Sequence, residues 1–190
     1  MMTVFRITKQ VSRLGRRYRD DRRGGAGVEF ALMLTVLIFP VLNVVDIGIY
    51  IYARMELENA TQVAAQAAWA TCSAAANLPA TPNSYAKCPV LPNAVATAAH
   101  STSLGSGVTI TVTSEDYKCV STSTSALVST STFPTPPPNK CNSYGGVAGD
   151  TPGDYIQVTG SFAYSPFFPA ASLASLLTTP ITHSAWTRLN

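Results

Sequence analysis

The chain has 190 residues, of which 46% are hydrophobic and 12% are charged, and its formal net charge is +3. That length suffices for one modest domain with an extension. The charge is uneven, because residues 1–23 hold eight of the thirteen basic residues while the rest of the chain holds five basic and eight acidic ones. The body of the chain has no basic patch with interleaved aromatic residues, so we do not expect it to bind nucleic acid.

Residues 31–53 form an apolar segment, ALMLTVLIFPVLNVVDIGIYIYA, in which Asp46 is the single charged residue. As a helix the segment would be about 34 Å long, enough for a hydrocarbon core of about 30 Å. The sequence therefore predicts one transmembrane helix, with the basic tail in the cytoplasm and residues 54–190 outside. A cleaved secretory signal fits less well, since the nearest small-x-small site, AQA at 65–67, lies beyond three further charged residues.

Three residues interrupt the apolar pattern of this segment. Pro40 is expected to kink or loosen the helix, because it removes one backbone hydrogen bond. Asn43 and Asp46 are costly against lipid and should face protein or water. Two interpretations stay open: Asp46 is hydrated near the outer interface, or this face packs against another subunit.

The helical pattern continues past the membrane segment into RMELENATQVAAQAAWATC. Glu58, Gln62 and Gln66 line one face, and small apolar residues recur on another at spacings of three and four: Ala60, Val63, Ala64, Ala67 and Ala68. The pattern predicts one helix of about 45 residues, from near Gly27 to about Cys72, that protrudes from the membrane. Close approach of partner helices is expected at small residues, namely Gly48, Ala53, Ala60 and Ala64.

Residues 24–70 closely resemble the TadE-like family, minor pseudopilins of tight-adherence (Flp-type) pili. The resemblance is carried by the small-residue run GGAG, by VEFAL, by the proline in mid-helix, by DIG and by the aromatic-Ala-Arg that leads into an Ala-rich helix. A weaker resemblance covers DYIQVTGSFAYSPFFP and the final ITHSAWTRL. The resemblance to the TadE-like family implies a structural protein of the bacterial inner membrane, involved in pilus biogenesis, adhesion or secretion, without catalytic activity or cofactor.

The resemblance also implies partners: a prepilin peptidase, other pilins and pseudopilins, the inner-membrane assembly platform and membrane lipid. A cut between Gly24 and Gly25 would make Glu29 the fifth residue and Phe30 the sixth, as this peptidase requires, and would remove residues 1–24 as a leader. Glu29 would then pair with the new amino group of a neighbouring subunit. The alternatives are a hydrated Glu29 paired with Arg22 or Arg23, and an uncleaved membrane-tethered binding module.

Residues 73–190 are predicted to form an external α+β domain with a three-stranded antiparallel sheet against the long helix. Residues 120–143, rich in Ser, Thr and Pro, are expected to be a surface loop. The other predicted elements are a helix at 93–103, strands at 108–113, 155–164 (with Gly160 as a bulge) and 181–189, and a short helix at 170–177.

Cys72, Cys88, Cys119 and Cys141 all lie on the predicted external side, where an even count favours two disulfides. We prefer the nearest-neighbour pairing, 72–88 and 119–141. Zinc binding is disfavoured, because no pair has C-x₂₋₄-C spacing.

No enzyme motif is present: the chain has no phosphate-binding glycine loop, no G-x-S-x-G and no H-E-x-x-H. His100 and His183 are far apart in sequence, and His183, within an alternating strand, is interpreted as a structural histidine. Asp150 and Asp154 flank TPG and are interpreted as turn formers, with weak calcium binding as a minor alternative.

Overall fold

In the computed structural model, residues 23–74, 77–78, 80, 87–132, 138, 140–170 and 172–190 are described. The predicted leader, residues 1–24, lies almost wholly outside them. The fold is α+β, and its elements are α1 (Arg23–Cys72), α2 (Leu91–His100), β1 (Val108–Val120), β2 (Leu127–Thr132), β3 (Gly153–Phe162) and β4 (Ile181–Arg188). The strands form one antiparallel sheet in the order β2-β1-β3-β4.

The sheet has four strands, so the prediction of three was wrong. The additional strand, β2, lies inside the segment predicted to be a surface loop. It is an edge strand that pairs only with β1, and residues 127–131 are exposed or half-buried. An edge strand of this kind needs no apolar face, so LVSTST lacks the alternation by which strands are recognised, although threonine suits a strand.

The predicted bulge at Gly160 was also wrong. Gly160 pairs regularly with Ile110 on β1 and with His183 on β4. The irregularity lies on β1, where the register with β3 shifts between Val112 and Ser114. This shift lies at the end of the strand predicted over 108–113. The observed strand, β1, is longer than predicted and continues to Val120.

The C-terminal half of α1 forms the centre of the core, packed against the sheet and α2. Leu57 is fully buried there, and three of the four small residues predicted to contact partner helices are buried in the same core: Ala53, Ala60 and Ala64. The fourth, Gly48, is exposed. The predicted polar face, Glu58, Gln62 and Gln66, is exposed as expected. The small side chains therefore bring α1 close to its own domain.

Two disulfides brace the domain, in the pairing preferred from the sequence. Cys72–Cys88 joins the end of α1 to the residues before α2, and Cys119–Cys141 joins the end of β1 to the loop before β3. The described residues include no free cysteine. The short helix predicted at 170–177 is instead a single 3-10 turn, Leu173–Leu176.

Candidate functional site

The N-terminal half of α1 stands free of the domain. Every residue from 25 to 41 is exposed, and the stretch is apolar apart from Glu29 and Thr35. It covers about 26 Å of helix. Among the described residues, α1 is the one helix long and apolar enough to cross a membrane. Its exposure distinguishes it from the core helix of a soluble protein, because an apolar surface of this size is normally covered.

The predicted cleavage and recognition residues lie at the start of this exposed half. Gly24 and Gly25 belong to the first turns of α1, although extended, flexible residues were expected at the cut site. Glu29 and Phe30 are exposed, and Glu29 forms no ion pair with the other side chains that the structure describes. Pairing of Glu29 with Arg22 or Arg23 falls outside what the structure describes.

The helix continues through Pro40, and nearby side chains bond to its carbonyl groups. Thr35 Oγ1 donates to the Ala31 carbonyl and Asn43 Nδ2 donates to the Phe39 carbonyl, each at 2.8 Å. These bonds give the polar side chains of Thr35 and Asn43 hydrogen-bond partners that lipid could not provide. The proline therefore interrupts one bond of α1 without ending the helix.

Asp46 is fully buried and binds a loop of the domain that follows α1. Its Oδ1 accepts the Phe167 N–H at 3.0 Å, and its Oδ2 accepts the Phe168 N–H at 3.1 Å. The Tyr164 hydroxyl donates to the Asp46 backbone carbonyl at 2.9 Å. One turn nearer the N-terminus, Asn43 Oδ1 accepts the Leu173 N–H at 2.6 Å.

The loop that meets Asn43 and Asp46 connects β3 to β4; its residues 163–170 and 172–180 are called the lobe below. It leaves the sheet beside Leu57, runs along α1 towards the N-terminus as far as Asn43, and returns to β4. Neither interpretation of Asp46 drawn from the sequence describes this contact, which is made within the chain. The sequence did contain a signal for this contact. Asn43 and Asp46 are hydrogen-bond acceptors three residues apart on one helix face, so they require donors, and an uncharged loop can supply backbone N–H groups.

A second buried carboxyl lies at the far end of the sheet, where Asp154 was predicted to form a turn. Asp154 is instead buried at the start of β3, while Asp150 is exposed in the preceding loop. Burial, and then the charge and a side-chain hydrogen bond of Glu115, raise the pKa of Asp154 to about 7. Glu115 is itself buried and accepts the Ala80 N–H at 2.7 Å. Asp154 therefore keeps its proton to a higher pH than an ordinary aspartate does.

His183 lies half-buried on β4. Its Nε2 is 3.9 Å from Glu58 Oε1 on α1. Over the described part of the chain, no three His, Cys, Asp or Glu side chains are grouped so that they could hold a metal ion. The features left for a functional interpretation are the exposed half of α1 and the lobe bound to it.

The TadE-like protein family model matches residues 24–66. These residues are TadE-like. The match covers the exposed half of α1, both lobe-binding residues and the first buried turns of the core, and it confirms the resemblance drawn from the sequence. It ends before the sheet, so the weaker resemblance in the closing strands lies outside it. Neither the curated proteins nor the solved structures give a match to the chain. The TadE-like segment suggests a protein related to Tad pili.

Proposed function

We propose that the chain is a minor pseudopilin of a tight-adherence pilus, a structural protein without catalytic activity that acts in pilus biogenesis, adhesion or secretion. The supporting observation is the division of the long helix: residues 25–41 are wholly exposed, while one face of the helix from Ala53 to Cys72 is buried in the core of a small domain. A helix divided in this way can pack in lipid or against like helices while it carries the domain outside.

The proposed orientation follows the positive-inside rule. The eight basic residues within the first 23 favour a cytoplasmic N-terminus, which places the sheet and both disulfides on the external face of a bacterial inner membrane. That compartment is oxidising enough for disulfides to persist. The chain would cross the membrane once.

The proposed partners act on the exposed half of α1. A prepilin peptidase would cut between Gly24 and Gly25, and Glu29 would pair with the Gly25 amino group of a neighbouring subunit. Glu29 is exposed, so the amino group of a neighbouring subunit could reach its carboxylate. Other pilins, pseudopilins, lipid and the assembly platform would contact the apolar surface that follows.

Complementation of a strain that lacks this chain tests the proposal. We expect pili sheared from the cells, and surface adherence, to be lost in the deletion strain and restored by the wild-type chain. Glu29→Gln should fail to restore them while remaining in the membrane, whereas the matched variant of an exposed glutamate in the same helix, Glu58→Gln, should succeed. Normal pili in the deletion strain would contradict the proposal.

A further inference from the structure

The lobe presents apolar side chains outward beside the membrane helix. Phe167 and Leu176 are 75% and 82% exposed, and Leu173 between them is 57% exposed. Residues 155–182 contain no Asp, Glu, Lys, Arg or His. A surface loop in water normally carries charge, so several exposed apolar side chains within one uncharged segment indicate a surface that is covered in the cell.

The position of the lobe along α1 indicates what covers it, given the membrane anchoring proposed above. Leu173 is bound to Asn43, which lies 14 residues beyond Glu29, or about 21 Å along the helix. If Glu29 marks the inner boundary of a hydrocarbon core of about 30 Å, the tip of the lobe lies about 9 Å inside the outer boundary. That depth is typical of elements that insert into the headgroup and acyl-chain boundary.

Six N–H groups of the lobe backbone have acceptors within the protein, as a poorly hydrated environment would require. Lipid cannot accept hydrogen bonds from N–H groups, so irregular backbone at this depth needs acceptors within the protein. Asp46, Asn43, the Ser172 side chain and two lobe carbonyls supply them. The N–H groups so bonded are those of Phe167, Phe168, Leu173, Ala174, Ser175 and Leu177.

We propose that the lobe is a second membrane-inserting element, which enters the outer leaflet beside α1 and places Phe167, Leu173 and Leu176 among lipid acyl chains. Its partner is therefore lipid. Asn43 and Asp46 bind the lobe to the helix and are covered by it, so that neither polar side chain meets lipid. The external domain is consequently held against the bilayer at two points, the helix and the lobe.

Tryptophan quenching by brominated lipid tests this placement in the full chain. The protein is reconstituted in phosphatidylcholine vesicles whose acyl chains carry bromine, with Trp69 and Trp186 retained as a constant background. Leu176→Trp and Phe167→Trp replace exposed side chains and should leave the fold intact. Val147→Trp, at an exposed position in the loop before β3, is the matched control, and Val36→Trp reports on α1 itself.

We expect bromine to quench Leu176→Trp and Phe167→Trp as it quenches Val36→Trp, and to leave Val147→Trp at the level of the parent. Quenching of Val36→Trp alone would overturn the lobe proposal and leave membrane anchoring intact. Absence of quenching at all positions would overturn both. A blue-shifted emission at 176 without bromine quenching would show that protein, for example a second copy of the chain, covers the lobe, and would also overturn the proposal.

Discussion

Gly160 on β3 lies directly against Thr61 on α1. A Cβ atom at position 160 would be 2.5 Å from Thr61 Oγ1, which is itself fixed by a 2.7 Å hydrogen bond to the Leu57 carbonyl. The same atom would be 3.0 Å from Leu57 Cδ1. The sheet therefore meets α1 at a point where only glycine fits, and this contact determines how closely the sheet packs on the helix.

Gly160→Ala should destabilise the domain by about 1–3 kcal/mol, the usual cost of overpacking a core. Thermal unfolding of the full chain in detergent measures the loss. Thr61→Ala removes the obstructing oxygen, so we expect Gly160→Ala to cost less when it is made in that background. Gly48→Ala, where the added Cβ meets no atom within 4 Å, is the control. Equal costs for Gly160→Ala in both backgrounds would contradict the account.

Asp46→Ala should release the lobe from α1. The Phe167 and Phe168 N–H groups would lose their acceptor, and each unsatisfied donor costs about 1–3 kcal/mol. We expect hydrogen exchange at these two amides to accelerate by roughly tenfold or more, since about 1.4 kcal/mol corresponds to a factor of ten. Asp46→Asn keeps one oxygen acceptor and should have a smaller effect. Asp150→Ala removes an exposed carboxyl and should leave both amides unchanged; unchanged exchange in Asp46→Ala would refute the assignment.

Removing a disulfide should destabilise the α+β domain. The Cys72–Cys88 and Cys119–Cys141 bonds have sequence separations of 16 and 22 residues, and closing loops of that size stabilises a fold by about 3 kcal/mol in the chain-entropy model. We expect paired replacement by alanine, one disulfide at a time, to lower the unfolding free energy by roughly that amount. Peptide mapping under non-reducing conditions checks the connectivity, and a 72–119 or 72–141 linkage would contradict the structure.

The stability of the domain should fall as pH rises from about 4 to about 7. An unfolded aspartate releases its proton near its ordinary pKa of 3.8, whereas Asp154 in the folded domain keeps its proton until about pH 7. The folded state therefore binds more protons in this window, so raising the pH favours unfolding, and the loss is complete above the folded pKa.

Asp154→Asn mimics the protonated carboxyl and should remove this part of the pH dependence. We expect the variant to unfold at a higher temperature than the wild type at pH 8 and to lose that advantage towards pH 4. The difference between the two melting curves isolates Asp154 from the other carboxyls. Asp150→Asn, at an exposed carboxyl four residues earlier in the chain, should follow the wild type at every pH. A difference that does not vary with pH would show that Asp154 does not hold the proton.

The sequence was sufficient for the features that repeat over many residues. The long apolar run and the three- and four-residue spacing beyond it predicted α1 close to its observed bounds, Arg23–Cys72. The nearest-neighbour disulfide pairing was preferred from the sequence because each bond closes a short loop. Strand β2 could not be recognised, because an edge strand of serine and threonine has no buried face to impose a pattern.

The contacts missed by the sequence are those between segments far apart in the chain. Asp46 and Phe167 are separated by 121 residues, so local patterning says that the carboxylate needs a partner but not which segment supplies it. Asp154 follows Pro152 and Gly153, residue types that favour turns, and Glu115, the buried carboxyl that helps to raise its pKa, lies on a neighbouring strand. The small side chains of Ala53, Ala60 and Ala64 would permit close packing against a partner helix or against the chain's own domain. Only the fold shows that they pack against the domain.

The intact mass of the protein recovered from its native membrane, beside that of a Gly24→Ala variant, tests the pseudopilin proposal most directly. The account predicts a species that begins at Gly25 in the wild type and that is lost in the variant. A wild-type chain that still begins at Met1 or Met2, in cells whose prepilin peptidase is active, would contradict processing and favour an uncleaved membrane-tethered binding module.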